Sequence, residues 1–201
     1  MNEFLAAERP ASPSQWRRRL ALIGAAALLY GIAGCSNTPA PLAGLAKGGM
    51  AKLKVTEHPQ AAPTTAFTDL AGKPHTLAEF RGKVTIVNIW ARWCGPCVLE
   101  IPSLAKLQAA NTGKPVAVVA IDLDKGDDIP LGRAFIAKNA PLTYYSEPTY
   151  ALPYALKPIV EEMPTTVIYD RNGVETARLA GGADWAGADA QAVVDALLKA
   201  P

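Results

Sequence analysis

The chain has 201 residues, of which 50% are hydrophobic and 19% are charged, so it can bury a core and is not a wholly disordered protein. Its length suits one domain of ordinary size with an additional segment. The net charge of +2 belongs to residues 1–35, which hold four arginines and two glutamates. The rest of the chain is neutral and has no Lys/Arg cluster, which gives little reason to expect nucleic-acid binding.

The first 35 residues have the pattern of a membrane-targeting signal. Arginines 17–19 precede an uncharged apolar run over residues 20–34, and such arginines remain in the cytoplasm. As a helix the run would be about 22 Å long, shorter than a hydrocarbon core of about 30 Å. Two alternatives stay open: an uncleaved helix, or a lipoprotein signal, because Ile32-Ala33-Gly34-Cys35 resembles a lipobox whose cysteine is lipidated. Both predict a domain tethered outside the cytoplasmic membrane.

The chain is therefore divided into four parts. Prolines and glycines without periodicity after Cys35 favour a tether. The assignment is a cytoplasmic segment over 1–19, an anchor or lipoprotein signal over 20–35, a flexible tether over 36–60, and a folded domain over 61–201.

Apolar runs alternate with helical patterns along this domain. A hairpin is predicted around Gly72, between Phe67 and Leu77. The β-branched runs 84–91 and 116–121 have the length of buried strands. Between them, Pro96 opens a helix that ends near Asn111.

The second half of the domain continues this alternation. A helix is predicted over 129–139, with Asp127 or Asp128 as its cap. A short strand near 143–145 and a helix near 149–156 follow. Asn172-Gly173 then predicts a hairpin turn between strands 165–169 and 174–179, and an Ala-rich helix over 189–199 closes the chain. This order predicts an α/β sandwich with a mixed central sheet flanked by helices.

The most informative motif is Cys94-Gly95-Pro96-Cys97, at the junction of a buried strand and a helix start. Unpaired N–H groups and the positive end of a helix stabilise an anion, and such a position lowers a cysteine pKa from about 8.5 to roughly 3.5–7.5. Cys97 is close enough to form a disulfide ring with Cys94. We expect Cys94 to attack a partner's disulfide and Cys97 to resolve the mixed disulfide.

Other uses of this spacing fit the sequence less well. Haem attachment needs a histidine after the second cysteine, where the chain has Val98. A structural zinc site lacks a second ligand pair, because His58 and His75 are the only histidines. A purely structural disulfide remains an alternative. The prediction is no metal and no cofactor other than the redox-active disulfide between Cys94 and Cys97.

At these residues the chain resembles the thioredoxin superfamily, and within it the TlpA/ResA-like membrane-anchored thiol–disulfide oxidoreductases. The resemblance covers residues 61–201 and rests on four motifs. These are Asn88-Ile89-Trp90-Ala91-Arg92-Trp93-Cys94-Gly95-Pro96-Cys97, Glu100-Ile101-Pro102, Met163-Pro164-Thr165-Thr166, and Gly181-Gly182 with Trp185. It implies a thioredoxin-like fold with an N-terminal hairpin and a central insertion over 141–160. It also implies a cis peptide bond before Pro164 that faces the two cysteines and keeps metal from them.

The resemblance assigns roles to nine residues. The catalytic set is Cys94, Cys97, Glu100 and Pro164, and the substrate-binding set is Trp93, Gly95, Pro96, Met163 and Thr165. Glu100 is expected to act as the acid/base for the Cys97 proton, the alternative being an ordinary exposed first-turn glutamate. Asn88 replaces the buried aspartate of cytosolic thioredoxins.

The function implied by the resemblance is reduction of disulfides in periplasmic partner proteins during cytochrome c or copper-site maturation. A membrane thiol donor of the DsbD/CcdA type would supply the electrons to a monomer held at the bacterial inner membrane. Two alternatives stay open: a copper-chaperone-like module, although those proteins carry CxxxC and a distal histidine, and a protein disulfide oxidant. The spacing alone does not set the direction of electron flow, which depends on the reduction potential.

Overall fold

The computed structural model describes Leu42 and residues 44–200, and the strands and helices in that part of the chain alternate as expected. The strands are β1 (Lys54–Val55), β2 (Phe67–Asp69), β3 (Pro74–His75), β4 (Val84–Trp90), β5 (Val116–Asp122), β6 (Tyr145–Ser146), β7 (Thr165–Tyr169) and β8 (Glu175–Ala180). The helices are α1 (Gly95–Ala110), α2 (Ile129–Ala137), α3 (Ala151–Ala155) and α4 (Ala188–Lys199). Short 3-10 helices cover Gly48–Met50, Leu77–Phe80 and Gly126–Asp128.

The strands form one mixed sheet in the order β1-β8-β7-β4-β5-β6-β2-β3. β5 is parallel to β4 and to β6, and the other neighbours are antiparallel. All seven residues of β4 and of β5 are buried, because helices or loops cover both faces of the sheet, and this explains their continuous apolar runs. The predicted α/β sandwich with a mixed sheet is confirmed.

The side chains of β4 alternate between two hydrophobic clusters on the two faces of the sheet. Ile86 and Trp90 join the cluster that contains residues of α1, α2 and α4. Val87 and Ile89 join the cluster that contains Leu152 of α3. Since successive strand residues point to opposite faces, Asn88 lies on the face that α1 covers.

The structure corrects the prediction of a flexible tether over 36–60. Leu42, Met50 and Leu53 are buried in the cluster that holds α1 and α4, and β1 pairs with β8. The apolar residues of this segment are separated by breakers and have no helix or strand period, yet these three are buried individually. The domain therefore includes Leu42 and residues 44–60 in addition to the predicted 61–201. Residues 36–41 and 43 lie outside the described residues.

Several predicted ends also change. The helix predicted over 129–139 ends at Ala137, and the Asp128 side chain makes no cap hydrogen bond. The backbone of Asp128 is already helical, with φ −80° and ψ −23°, because it belongs to the preceding 3-10 helix. The helix predicted over 149–156 spans only α3. Its buried Leu152 N–H donates to the Glu147 carboxylate at 3.1 Å.

Among the described residues, no helix combines the length and the apolar content that crossing a bilayer requires. The predicted cytoplasmic segment over 1–19, the anchor or signal over 20–35 and Cys35 all lie outside the described residues.

The predicted hairpin forms one edge of the sheet as β2 and β3. Asp69 Oδ1 accepts the N–H groups of Ala71 and Lys73 at 2.8 and 2.9 Å, and Gly72 supplies the positive φ of 78° that the turn requires. His75 lies between two carboxylates: its Nδ1 is 2.8 Å from Glu79 Oε2 and its Nε2 is 3.1 Å from Asp69 Oδ2. Only the imidazolium form donates both hydrogen bonds.

We expect the hairpin to be most stable at mildly acidic pH. Hydrogen bonds to Glu79 and Asp69 raise the pKa of His75 above its ordinary value of 6.5. The folded state therefore binds the imidazolium proton more tightly, and this stabilisation is lost as pH rises through the raised pKa. A proton NMR titration of full-length protein measures it, with a His58→Gln variant leaving only the His75 signal. A midpoint at or below 6.5 contradicts the interpretation.

Candidate active site

The two cysteines lie where β4 leads into α1. Cys94 is the N-cap residue of the helix, and its Sγ accepts the N–H of Cys97 at 3.3 Å. The two sulfurs are bonded in this structure. Cys97 is fully buried, whereas 7% of Cys94 is exposed. Because the outer sulfur is the accessible one and the helix N-terminus stabilises its anion, the geometry suits Cys94 to attack a disulfide and Cys97 to resolve the product.

The loop before β7 reaches the same end of the sheet. β7 is antiparallel to β4, with Thr165 opposite Ile89, so Met163 and Pro164 lie beside the end of β4 from which the cysteine motif starts. The Met163–Pro164 peptide bond is cis, as the resemblance implied. The Pro164 carbonyl accepts the N–H of Gly181 at 2.8 Å, and this hydrogen bond joins the loop to the start of the segment that follows β8.

That segment also contacts the start of α1. A Cβ at Gly182 would lie 3.7 Å from both the Cβ and the carbonyl oxygen of Pro96, so the chain passes the first helical turn at van der Waals distance. The segment after β8 therefore contacts both the cis-proline loop and the helix that carries both cysteines.

Glu100, one helical turn after Cys97, is buried beneath this region. Only 3% of the residue is exposed, which contradicts the alternative of an ordinary exposed first-turn glutamate. Its Oε1 accepts Asn88 Nδ2 at 2.7 Å, and its Oε2 accepts the Ala183 N–H at 3.1 Å and Trp185 Nε1 at 3.2 Å. The carboxylate thus joins β4, α1 and the segment after β8.

Burial raises the pKa of Glu100 above its ordinary value of 4.5, and the hydrogen bonds from Asn88, Ala183 and Trp185 oppose this rise. Desolvation raises the pKa because it destabilises the charged carboxylate, and it is the larger of the two effects. A carboxyl group of raised pKa, one turn from the resolving cysteine on the same helix, is suited to exchange a proton with a neighbouring group.

Sequence reasoning missed the residues that hold Glu100. Asn88 Nδ2 also donates to Thr166 Oγ1 at 2.9 Å, and the Ser103 hydroxyl accepts the Trp185 N–H at 3.1 Å. The Gly181-Gly182 and Trp185 motif marked the family, but nothing local connected it to a glutamate more than 80 residues earlier. The Asn88 amide was the available signal, because a polar residue within a buried strand needs partners.

The predicted substrate-binding residues divide into two groups. Trp93, Gly95 and Pro96 are exposed around Cys94, with Trp93 60% exposed, and Met163 is half-buried. Thr165 is buried instead, and its hydroxyl donates to the Glu162 carbonyl at 2.7 Å. Its backbone lies between β4 and β8. The structure therefore does not support a partner contact from Thr165, because the residue already belongs to the sheet.

In the part of the chain that the structure describes, no three His, Cys, Asp or Glu side chains form a cluster that could hold a metal ion. His75 lies on β3, and β5, β6 and β2 stand between that strand and β4. It is therefore not placed as a distal ligand for the two cysteines.

Comparison with known proteins agrees with this geometry. Residues 58–197 match the family model described as Redoxin. Thiol-disulfide oxidoreductase ResA of Bacillus cereus is 36% identical over 83 residues, 41% of this chain and 48% of the relative. ResA of Bacillus thuringiensis strain Al Hakam is 30% identical over 124 residues, 60% of this chain and 68% of the relative. The chain thus spans about half the length of the first of these relatives.

A solved structure shows the same fold. The chain is similar to a thiol:disulfide interchange protein DsbE from Chlorobium tepidum, with a TM-score of 0.60 and 30% sequence identity. The similarity covers 69% of this chain and 96% of that one. The expected thioredoxin-like fold, with its helices on both faces of a mixed sheet, is confirmed.

Proposed function

The chain belongs to the Redoxin family, and from this and the geometry we propose that it is a thiol–disulfide oxidoreductase that reduces disulfides of partner proteins. One observation carries the proposal. Cys94 and Cys97 form a disulfide at a helix N-terminus, with the outer sulfur accessible and the inner one fully buried. A structural disulfide needs neither this asymmetry nor the adjoining cis-proline loop.

The reaction follows in two exchanges. The Cys94 thiolate attacks one sulfur of the partner's disulfide, the Cys94–partner bond forms, and the partner's other sulfur leaves as a thiolate that takes a proton. Cys97 then gives up its proton and attacks Cys94 Sγ; as the Cys94–Cys97 bond forms, the partner's second sulfur leaves as a thiolate, which also takes a proton. Two electrons pass from the dithiol to the partner. Glu100 is the acceptor for the Cys97 proton, since it lies one turn along the same buried helix face.

The partner segment lies against the surface around Cys94. Trp93, Gly95 and Pro96 are exposed there, and Met163 packs against the clusters on both faces of the sheet. An extended partner chain beside Met163 and Pro164 would bring its disulfide to Cys94. The exposed Trp93 ring then contributes apolar contact area.

The location and the electron source complete the proposal. Arginines 17–19 and the apolar run 20–34 support an inner-membrane anchor or lipoprotein signal, with the domain in the periplasm acting as a monomer. A membrane thiol donor of the DsbD/CcdA type would regenerate the dithiol. The partners would be periplasmic cysteine pairs, as in apocytochrome c or copper-site proteins.

The mass of the membrane-extracted chain tests the anchor, because loss of residues 1–34 with added acyl mass identifies a lipoprotein.

The reduction potential tests the direction of the reaction. The full-length chain in detergent is equilibrated with glutathione buffers, and the Cys94–Cys97 pair is quantified by alkylation and mass spectrometry. We expect a reducing potential, closer to the approximately −270 mV of thioredoxin than to the approximately −120 mV of the oxidant DsbA. A Cys35→Ser variant is the control, since it leaves only the redox pair. A value near −120 mV would show a disulfide donor and reject the reductase assignment.

A further inference from the structure

A second pair of buried acidic residues lies next to the cysteine motif, and the reaction described above does not use it. Asp122 ends β5 directly opposite Trp90 of β4, in parallel register. Asp124 follows two residues later, and both residues are fully buried. Because parallel strands end at the same edge of a sheet, the chain after β5 and the chain that leads to Cys94 leave the sheet side by side.

The contacts of Asp124 reach the segment that carries Cys94. Both of its carboxylate oxygens accept the backbone N–H of Arg92, at 3.0 and 3.1 Å. Arg92 precedes Cys94 by two residues, and the Cys94 N–H in turn donates to the Ala91 carbonyl at 3.2 Å. The carboxylate therefore holds the backbone immediately before the helix N-cap.

Asp122 is held by neutral donors. Its Oδ1 accepts the Asp124 N–H at 3.0 Å, and its Oδ2 accepts the Tyr144 hydroxyl at 3.1 Å. Burial raises the pKa of Tyr144 to about 12, so this hydroxyl remains a donor at physiological pH.

The two carboxyl groups are close neighbours beneath α2. A Cβ at Gly132 would lie 2.8 Å from Asp124 Oδ2 and closer still to Asp122 Oδ2, so both oxygens approach one point on the helix. Among the described residues, neither carboxylate forms a salt bridge. The charge of Arg92 lowers the pKa of Asp124 but is outweighed by burial, and two like charges in a buried site without a salt-bridged cation do not both ionise readily.

Other charged and titratable groups face this site from the surrounding elements. The Arg92 guanidinium lies over the Phe135 ring, 5.4 Å from its centre, and Arg133 lies 5.6 Å from the Tyr144 ring centre. Asp128 adds a negative charge near Asp124. Tyr150 is close enough that the charges of both carboxylates contribute to raising the pKa of its hydroxyl. Burial, followed by the charge of Asp124, raises the pKa of Asp122 to about 7, and burial also raises the pKa of Asp124.

We propose that Asp122 and Asp124 are a positioning pair for Cys94: they share one proton, and the ionised Asp124 fixes the Arg92 peptide and thereby the cysteine at the helix N-terminus. When the pair loses that proton it carries a second negative charge, which disfavours the Cys94 thiolate. The inference rests on the proposed function only in taking Cys94 as the attacking thiol.

The pH profile of Cys94 alkylation tests the pair. Full-length protein carrying Cys35→Ser is reduced and treated with iodoacetamide between pH 5 and 10, and the Cys94 peptide is followed by mass spectrometry. We expect the plot of alkylation rate against pH to show a second ionisation near pH 7, in addition to the ionisation of the Cys94 thiol. Asp122→Asn and Asp124→Asn should each remove it. At pH 10, where the Cys94 thiol is ionised whatever the charge of the pair, Asp124→Asn should also slow alkylation about fivefold, because a neutral amide holds the Arg92 N–H less strongly than a carboxylate does.

Asp127→Asn is the matched control, since Asp127 lies exposed in the same loop and should keep both ionisations. If the profiles of all variants match, the inference is wrong.

Carbon NMR of aspartate-labelled protein that keeps both Asp122 and Asp124 provides a measurement that does not depend on the folding of a variant. One buried carboxyl should still hold a proton at pH 6 and lose it by pH 8, and full ionisation at pH 5.5 would overturn the proposal. If the protein shows this titration but reduces no protein disulfide, the proposed function is contradicted, whereas the inference about Asp122 and Asp124 is not.

Discussion

Cys97→Ser should stop the reaction at the mixed disulfide and lower turnover by about a thousandfold or more. The buried Cys97 is the internal thiol that displaces the partner from Cys94, and its loss leaves only external thiols, without the advantage of an intramolecular step. The Cys97 N–H bond to Cys94 Sγ comes from the backbone, so the attacking sulfur keeps its helix N-terminal environment. The reduced variant is mixed with a disulfide-containing protein, and the covalent adduct is measured by non-reducing electrophoresis and mass spectrometry.

Two companion variants complete this test. Cys94→Ser should form no adduct, because the serine hydroxyl replaces the only accessible sulfur of the pair. Cys35→Ser should form adduct and turn over as the unmodified chain does, since Cys35 is not part of the redox pair. An adduct formed by Cys94→Ser but not by Cys97→Ser would reverse the assigned roles of the two cysteines.

Glu100→Ala should have the second largest effect, on both stability and rate. The substitution leaves the N–H of Ala183 and the indole N–H of Trp185 without their acceptor, and the Asn88 amide loses one of its two acceptors. Each buried, unpaired donor costs about 1–3 kcal/mol, so the free energy of unfolding should fall by about 3–5 kcal/mol. Loss of the proton acceptor for Cys97 should slow partner reduction by about a hundredfold. Denaturant unfolding and partner-reduction kinetics measure the two effects separately.

Glu100→Gln tests the effect of the titrating Glu100 proton separately from the effect of the side chain's packing. Burial raises the pKa of Glu100, so the folded state binds its proton more tightly than the unfolded state does. This contribution to stability is fully present below the ordinary value of 4.5 and is lost as pH rises through the raised pKa. Glu100→Gln should remove that pH dependence and the corresponding step in the rate profile. The exposed Glu161→Ala is the control, and a Glu100→Ala protein with the unmodified rate would refute the role in proton transfer.

Much of the fold was predictable because its central elements have strong local patterns. The continuous β-branched run of β4, the proline at the start of α1 and the Asn172-Gly173 turn each carry their own structural preference. The short elements were less predictable. α3 is only five residues long, and its start depends on the Glu147 carboxylate.

By itself, then, the sequence determined the strand–helix junction that holds Cys94 and Cys97, since neighbouring residues encode it. Only the tertiary structure decided that Glu100 is buried, because its donors come from β4 and from a segment more than 80 residues later. It also decided that Leu42, Met50 and Leu53 belong to the core, and that Asp122 and Asp124 meet beneath Gly132. Each of these depends on contacts between distant segments, and local propensity and periodicity carry no record of such contacts.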